Sequence, residues 1–397
     1  MSRVTAARPI LVAGGGIGGL SAALCLARRG FPVRVLEQAE AFTEAGAGIQ
    51  LSPNGMRVLR SLGLEARLLD VGFEPEAVEI RSWDRGRLLA STPLGAAARA
   101  RWGAPCVHVH RGDLLTALVD AARADDAIEL VAGAGVVDVE DHGGGVRVAG
   151  PGFEAEGSVL IGADGIHSRV RAFLFGAEAP RFTGNVAWRA LVPAAALAAG
   201  LVRPTATVWW GPGAHFVHYY VRGGDLVNCV GVVEASDWRE ESWTRRGDPG
   251  ELRRAFGAWH PDLQALLDGV DADSCYRWAL FDRPPMSSWG RGRVTLLGDA
   301  CHATLPFLAQ GAVMAIEDGA LLARCLEAVA EPAAALERYA ALRRARTARV
   351  QRASRRNARI FHLRGPAALA RNLFAGLAAD RVSRDLYAYD ALGVSLT

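Results

Sequence analysis

The sequence predicts an α/β fold in which a helix-flanked parallel sheet is interrupted by an antiparallel β-sheet domain and followed by a C-terminal helical segment. Three observations support this prediction. Residues 9–37 have the pattern of a strand–helix–strand unit around a glycine loop, residues 180–285 alternate apolar and polar positions between glycine-rich turns, and residues 333–397 are helical in pattern and rich in arginine. The β-rich middle therefore looks inserted into a domain that resumes after it.

The composition of the 397-residue chain is that of a globular protein with two or three packed units. Half of the residues are hydrophobic, and the net charge of +3 is too small to suggest nucleic acid as a partner. No uninterrupted apolar run reaches the length of a membrane span, and the first residues lack the pattern of a secretory signal. Six scattered cysteines without metal-ligand spacing predict reduced thiols, a cytoplasmic location and no metal site.

Every basic side chain apart from histidine is arginine, because the chain contains no lysine. This excludes a lysine Schiff base, a P-loop lysine and any mechanism that needs an amine nucleophile. Arginines cluster in residues 343–359, and we interpret this cluster as the solvated face of a C-terminal helix, with an anionic partner as the alternative.

The first unit contains a dinucleotide-binding pattern. A strand over 9–13 leads into Gly14, Gly16 and Gly19 in G-x-G-x-x-G spacing, and a helix over 20–29 follows. The first glycine permits a tight turn, the second lets a pyrophosphate approach the backbone, and the third lets the helix pack on the strand. Glu37 ends the second strand and is placed to bind the hydroxyls of an adenosine ribose.

Two later segments again end a buried strand in an acid. Residues 159–165 end in Asp164-Gly165, and residues 294–299 end in Gly298-Asp299. After a loop, Gln310-Gly311 opens an apolar helix, whose free N–H groups favour an anion. A dehydrogenase could bind its nucleotide with the first unit alone, whereas this chain has two later segments that are also placed to contact the nucleotide.

Together these segments resemble the three fingerprints of the single-component FAD-dependent aromatic hydroxylases, in the branch of salicylate hydroxylase, 3-hydroxybenzoate 6-hydroxylase and 6-hydroxynicotinate 3-monooxygenase. The resemblance runs almost end to end. Its motifs are GAGIQLSPNG at 46–55, VHRGDLLTAL at 109–118, IGADGIHSRVR at 161–171, VAWRALVP at 186–193, LLGDACHATLPFLAQGA at 296–312, AIEDGALLARCL at 315–326 and LYAYD at 386–390.

The resemblance implies a Rossmann-like FAD-binding domain over 1–75, 105–180 and 286–332, a substrate-binding sheet over 76–104 and 181–285, and a helical segment over 333–397. Arg111 is expected to contact the flavin chain, Asp299 the ribityl or pyrophosphate region, and the backbone at Gly311 and Ala312 the flavin pyrimidine edge. The complete set of implied cofactor-binding residues is Gly14, Gly16, Gly19, Glu37, Gly48, Arg111, Asp164, Asp299, Gly311 and Ala312.

The reacting centre is expected on the strand AHFVHYY at 214–220, where side chains alternate between two faces. By the resemblance His215 is the general base, Tyr219 on the same face binds the substrate, and Gln310 reaches the phenolic end of the substrate. His302 could line the pocket or stabilise its loop, and Arg189 could meet a substrate carboxylate or form a structural ion pair. At Ala303 the chain departs from the family, which usually has proline there, so loop stiffness is in question.

We therefore predict an enzyme that hydroxylates a small phenol or aromatic carboxylic acid with FAD, NADH or NADPH, and O₂, through a flavin C4a-hydroperoxide. Salicylate, hydroxybenzoates, hydroxynicotinates and aminohydroxybenzoates all fit, and the protein is expected to be a monomer or homodimer. The alternatives are an FAD- and NAD(P)-linked oxidoreductase that inserts no oxygen, a NAD-dependent dehydrogenase and a non-catalytic nucleotide-binding protein. A flavin halogenase needs a catalytic lysine, which is absent.

Overall fold

The computed structural model describes residues 8–43, 46–235, 238 and 245–396. The strands are β1 (Ile10–Ala13), β2 (Val33–Leu36), β3 (Gly48–Leu51), β4 (Ala77–Ser82), β5 (Leu88–Pro93), β6 (Val107–His110), β7 (Ile128–Val131), β8 (Asp138–Asp141), β9 (Val146–Gly150), β10 (Phe153–Gly157), β11 (Val159–Gly162), β12 (Arg181–Pro193), β13 (Thr205–Gly211), β14 (Ala214–Val221), β15 (Leu226–Glu234), β16 (Tyr276–Asp282), β17 (Gly290–Arg291) and β18 (Val294–Leu296).

The helices are α1 (Ile17–Ala27), α2 (Pro53–Ser61), α3 (Glu65–Val71), α4 (Ala96–Trp102), α5 (Arg111–Arg123), α6 (Arg169–Phe175), α7 (Pro249–Ala255), α8 (Pro261–Asp268), α9 (Asp299–His302), α10 (Gly311–Ala328), α11 (Pro332–Phe361) and α12 (Gly365–Tyr387).

The first sheet has six strands in the order β17-β18-β11-β1-β2-β7 and is parallel except for the pair β17–β18. Its central strands are short and fully buried, as expected for a sheet covered by helices on both faces. Because the carboxyl ends of parallel strands meet at one edge, the loops that begin at residues 14, 37, 163 and 297 come together there. The fold class predicted from the first strand–helix–strand unit is confirmed.

The second sheet has seven strands in the order β16-β12-β15-β14-β13-β4-β5. All its pairs are antiparallel except β4–β13, in which Ala77 lies opposite Thr205. One pair thus departs from the antiparallel sheet that the sequence predicts, because a strand pattern identifies strands but not their partners. Strands from both of the segments 76–104 and 181–285 occur in this sheet, and the division into domains remains a prediction.

The two faces of the second sheet carry different side chains. On one face Trp209, Phe216 and the helices α7 and α8 form a separate apolar core. On the other face Trp210 and Val232 pack against Phe307 and against Phe361 at the end of α11. His215 and Tyr219 belong to the second of these faces, since strand residues alternate.

The nucleotide-type segments differ from their predicted forms at their ends. Helix α1 begins at Ile17 rather than at residue 20, with Gly16 as its N-cap. The loop expected after Gly298 contains the four-residue helix α9, which Asp299 begins. Ala303 follows α9 with φ −46° and is 2 % exposed, and its carbonyl accepts a hydrogen bond from Gln351. Packing and this bond hold the backbone at the position where the family usually has proline.

The C-terminal helices pack closely on both sheets. The prediction that the arginine cluster 343–359 is a solvated face is wrong for Arg343 and Arg346, which are 0 % and 4 % exposed. Arg349, Arg352 and Arg356 on the same helix do face solvent. Among the described residues, no helix has the length and hydropathy that a membrane crossing requires. All six cysteines are buried free thiols.

Candidate active site

The three glycines of the first loop have distinct surroundings. Gly14 has φ +107°, and a Cβ on it would lie 2.4 Å from the carbonyl oxygen of Ala163. A Cβ on Gly19 would lie 2.0 Å from the carbonyl oxygen of Gly14, so only glycine lets helix α1 pack this closely. A Cβ on Gly16 would meet nothing within 4 Å. The open side of the loop therefore lies at Gly16, where a phosphate can approach the backbone.

The start of helix α1 is suited to an anion. Its N-cap, Gly16, supplies no side-chain cap, and its first turn contains no acid. The first N–H groups of the helix are thus left for another partner. The Glu37 carboxylate accepts hydrogen bonds from Gly15 N (2.6 Å) and Ala39 N (2.9 Å), which fix it beside the loop. Each oxygen keeps acceptor capacity for a hydroxyl group.

Strands β3 and β6 bring a second backbone segment to the site. Gly48 lies opposite His110, and Arg111 N donates to Ala47 O over 2.7 Å at the start of α5. Gly48 N donates to Asn228 Oδ1 over 2.8 Å. A Cβ on Gly48 would lie 2.7 Å from both Tyr219 and Asn228. The predicted cofactor residue Gly48 is therefore in direct contact with the predicted substrate strand.

The two acids that follow buried strands, Asp164 and Asp299, differ in burial and in hydrogen bonding. Asp164 Oδ2 accepts from Arg169 N (2.7 Å) and Val170 N (3.2 Å), whereas Oδ1 is buried with no hydrogen-bond partner among the described residues. Burial raises the pKa of this carboxyl. Asp299 is exposed at the start of α9 and can accept hydroxyl hydrogen bonds.

Helix α10 presents another N-terminus without a side-chain cap. Its N-cap Gln310 makes no side-chain cap, its first turn lacks acids, and a Cβ on Gly311 would meet only Thr304 at 3.8 Å. Gly311 and Ala312 are thus accessible at a helix end that stabilises negative charge. With the open loop at Gly16 and the unpaired Asp164 oxygen, these features fit a dinucleotide that carries an anionic ring system.

The β14 strand carries the predicted base. His215 is 2 % exposed, and its ring lies edge-on to Phe307 at a centroid distance of 4.7 Å. Its Nδ1 lies 2.8 Å from Nε2 of His362. Burial, and then the neighbouring His362, hold the pKa of His215 well below 6.5. The imidazole is therefore neutral near pH 7 and able to accept a proton.

Tyr219 lies on the same face of β14, at the end nearer β3. It is 5 % exposed, and its ring centroid is 4.6 Å from that of His108. Burial raises the pKa of its phenol, so Tyr219 stays protonated and can donate or accept a hydrogen bond. The structure thus places His215 beside the Phe307 loop and Tyr219 beside Gly48.

Gln310 and His302 are more enclosed than the sequence suggested. Gln310 is 1 % exposed, and its amide donates to Ser52 Oγ (2.9 Å) and accepts from Asn54 Nδ2 (3.0 Å). This arrangement favours a role in shaping the loop before Gly311. The expectation that His302 lines the pocket is not met, because His302 is 0 % exposed and lies 2.5 Å from Asp318. The contact with Asp318 agrees with the alternative expectation, a role in stabilising the loop.

Arg189 lies on the His215 face of the second sheet. It is 3 % exposed, and its guanidinium carbon lies 5.3 Å from the Trp278 ring centroid and 5.5 Å from that of Tyr276. Burial is the main influence on the pKa of both Tyr219, which it raises, and His110, which it lowers, and the positive charge of Arg189 acts to lower both. A buried positive charge therefore lies near the predicted substrate strand.

A buried charge network supports helix α10 from behind. Arg343 lies 2.6 Å from Asp318 and 2.8 Å from Glu317, and Arg346 lies 2.9 Å from Glu317. Burial acts to raise the pKa of both carboxyls, but their positive neighbours outweigh it and hold both below their usual range. Asn54 also donates to Glu317 (2.7 Å), which links this network to Gln310. Asp318, already bound to Arg343, His302 and Gly298 N, is better explained by this network than as a metal ligand.

Sequence reasoning missed three residues of the site. Asn228 (0 % exposed) holds Gly48, His108 packs on Tyr219, and His362 contacts His215. Asn228 gave a signal, since it is an amide in the otherwise apolar strand LVNCVGVV. His362 gave none, because 147 residues separate it from His215.

The fold and the site together define a flavoprotein of the dinucleotide-binding α/β class. Residues 7–355 match the family model described as FAD binding domain, and the chain belongs to this family. The resemblance to FAD-dependent aromatic hydroxylases is thereby confirmed at the level of the family, and FAD is the cofactor.

Two sequence relatives and one solved structure show which enzymes the chain is similar to. The chain is 41% identical over 355 residues to 6-hydroxynicotinate 3-monooxygenase of Pseudomonas fluorescens, covering 88% of this chain and 90% of the relative. It is 42% identical over 361 residues to 3-amino-4-hydroxybenzoate 2-monooxygenase of Streptomyces cremeus, and this match covers 89% of this chain and 88% of the relative. A salicylate hydroxylase substrate complex superposes with a TM-score of 0.81 at 26% identity, over 97% of this chain and 96% of the other.

Proposed function

We propose that this protein is an FAD-dependent monooxygenase that hydroxylates a small phenolic or aromatic carboxylic acid, with NADH or NADPH and O₂ as co-substrates. The observation that carries the proposal is the placement of β14. Its neutral His215 and protonated Tyr219 share one face, between the Gly48 strand and the loop that leads to Gly311. Relatives about 40% identical are monooxygenases of hydroxylated aromatic acids, which supports this assignment.

The cofactor is proposed to lie along the carboxyl edge of the first sheet. The α1 N-terminus at Gly16 holds the pyrophosphate, Glu37 the adenosine ribose, and Asp299 the ribityl hydroxyls. Arg111 is proposed to contact the flavin chain, and Asp164 to shape the cleft where the nicotinamide arrives. Gly311 and Ala312 meet the pyrimidine edge, where a helix N-terminus stabilises the negative charge of reduced flavin.

When bound, FAD would supply the redox chemistry by which electrons from NAD(P)H activate O₂. The protein's own contribution is to position the aromatic ring, exclude water and raise the nucleophilicity of the ring. A phenolate is a better nucleophile than a phenol, so His215 accepts the phenolic proton and Tyr219 holds the oxygen by a hydrogen bond. The rings of Trp210, Phe307 and Phe361 keep water away from His215.

The buried Arg189 suits a substrate with a negative charge. Its guanidinium, 3 % exposed, lies on the face that is proposed to hold the substrate, where its positive charge favours an anionic ring over a neutral one. We therefore favour aromatic acids over uncharged phenols, which includes hydroxynicotinates, hydroxybenzoates, salicylate and aminohydroxybenzoates. The free thiols fit the proposed cytoplasmic location, and the active unit is proposed to be a monomer or homodimer.

The test is NADH and NADPH oxidation by the purified yellow protein across a panel of such aromatic acids, with the products identified by mass. Substrate-stimulated oxidation with a product heavier by one oxygen atom supports the proposal. NAD(P)H oxidation that yields only H₂O₂ with every acid would instead support the alternative, an FAD-linked oxidoreductase that inserts no oxygen. A colourless protein that does not bind added FAD would exclude both.

A further inference from the structure

Three side chains form a row from the interior of the site to the surface. His215 Nδ1 lies 2.8 Å from His362 Nε2, and His362 Nδ1 lies 3.3 Å from Glu234 Oε1. His215 and His362 are 2 % and 3 % exposed, whereas the side chain of Glu234 is 49 % exposed. The row therefore begins at the proposed base and ends in solvent.

The backbone of one turn holds the row together. Gly213 lies between β13 and β14 with φ +71°. Its N–H donates to His362 O, and its carbonyl accepts from Glu234 N, both over 3.0 Å. A Cβ on Gly213 would lie 2.2 Å from the Arg364 guanidinium. The end of α11, the end of β15 and the start of β14 are thus fixed to each other at this glycine.

Glu234 lies 3.3 Å from His362 Nδ1, an ion-pair distance without hydrogen-bond geometry, and the negative charge of a carboxylate at this distance favours one tautomer of both imidazoles. Ionised Glu234 can only accept, so a neutral His362 places its proton on Nδ1, facing Glu234. Nε2 of His362 is then an acceptor, so His215 donates from Nδ1. The lone pair of His215 consequently lies on Nε2, the nitrogen that forms no hydrogen bond to any described residue.

We propose that His215, His362 and Glu234 form a proton relay that carries the substrate's phenolic proton to solvent. The inference rests on the proposed function, in which His215 is the base. The substrate O–H bond breaks as His215 Nε2–H forms, and His215 Nδ1–H breaks as His362 Nε2–H forms. His362 Nδ1–H then breaks as the proton passes to Glu234, which releases it to water. Each imidazole ends neutral as the opposite tautomer, and reverse transfer or ring reorientation restores it.

The surroundings of the row leave no closer route through the described residues. The apolar rings of Phe307, Phe361 and Trp210 border His215. The charged neighbours are Arg364, 3.2 Å from Glu234, and Arg371 on α12, which lies over Trp210. Burial, together with Arg364 and Arg371, acts to lower the pKa of His362 and outweighs the opposite effect of Glu234. A proton taken up by His215 is therefore passed along the row rather than stored.

The test uses His362→Gln, because a glutamine amide can still hydrogen-bond His215 but cannot pass a proton on. The oxidised, FAD-loaded enzyme is mixed with a phenolic acid that it hydroxylates, and proton release is followed by stopped flow with a pH indicator. We expect release and kcat to fall about tenfold or more, with substrate Kd, KM and FAD content unchanged. Wild-type release rates for His362→Gln from pH 6 to 9 would overturn the relay.

Glu234 provides an independent variant at the surface. Glu234→Gln should slow release and shift the pH profile, and Glu234→Asp should restore much of the rate because it keeps a carboxylate. The matched control is Glu129→Gln, another exposed glutamate paired with an arginine, Arg34, which should behave as wild type. If His215→Ala is slow while the His362 and Glu234 variants are not, the relay fails and the proposed base stands. A wild-type enzyme that hydroxylates no phenolic acid would overturn the proposed function, and the relay with it.

Discussion

Gly16 and Gly19 lie three residues apart but meet different surroundings. We expect Gly19→Ala to destabilise the fold by several kcal/mol, because its Cβ would lie 2.0 Å from a backbone oxygen. Gly16→Ala should change the free energy of unfolding by no more than about 1 kcal/mol, since its Cβ meets nothing and φ is −76°. It should nevertheless weaken FAD binding at least tenfold, because the methyl group occupies the side on which the pyrophosphate is proposed to lie.

The measurements are urea unfolding of the apoprotein and fluorescence titration with FAD. Each variant is the control for the other, since both introduce one methyl group into the same loop. Full FAD affinity in Gly16→Ala would contradict the proposed phosphate position.

His215→Ala tests the base. Hydroxylation should slow by about 10²-fold or more, since general base catalysis contributes this much, while FAD remains bound because His215 lies on the substrate sheet. Single-turnover kinetics and the flavin absorbance of the purified variant measure the two effects separately. Loss of flavin in parallel with activity would mean that His215 has a structural role.

At the scale of elements, α10 and α11 are joined by charges that are buried on both sides. Arg343→Met should lower the free energy of unfolding by about 3–5 kcal/mol, because it leaves two buried carboxylates short of a partner. The same substitution in an exposed pair, Arg34→Met, should cost about 1 kcal/mol or less. Urea unfolding of both variants measures the two changes in the free energy of unfolding. Equally small decreases would show that the buried network contributes little to stability.

The sequence shows the two acids of this network but not the arginines that pair with them. Glu317 and Asp318 stand side by side in an otherwise apolar helix, and buried acids need partners. Their partners are more than 20 residues away, in a cluster where Arg349, Arg352, Arg356 and Arg359 face solvent. Composition alone could not separate Arg343 from Arg349, because burial depends on which face of α11 meets α10.

Local sequence predicts where the strands lie but not which strands pair. Alternating or wholly apolar runs bounded by glycines identify β1, β11 and β14 from local sequence. The parallel pairing of β4 with β13 joins residues more than 100 positions apart and depends on packing. Local motifs carry the predicted site residues, whereas His108 and His362 enter only through tertiary contacts, and Asn228 gives only the signal of an amide in an apolar strand.

For the whole molecule, buried neutral histidines should make stability depend on pH. Burial lowers the pKa of His108 to about 3 and that of His218 to about 4, and it also lowers that of His215. In the unfolded chain these groups titrate near pH 6.5, so below that pH the unfolded state binds more protons. Stability should be complete above pH 6.5 and fall by up to about 1.4 kcal/mol per pH unit for each such histidine as pH decreases.

Urea unfolding at pH 7.5, 6 and 5 measures this slope. His218→Gln should lower the number of protons taken up on unfolding by close to one and so reduce this slope. His142→Gln, at an exposed position, should leave the slope unchanged. An unfolding free energy that is constant between pH 7 and 5 would contradict the prediction.

Helix α11 links these scales in one element. With 30 residues it is about 45 Å long, and it begins near the first sheet, carries Arg343 and Arg346 under α10, and reaches His362 just beyond its end. A backbone break or insertion anywhere between residues 347 and 361 would uncouple the arginines from the histidine while leaving both sets of residues intact. The helix thus acts as a spacer that sets the register between the flavin edge and the substrate strand. Engineered fusions or permutations of this protein should therefore keep it continuous.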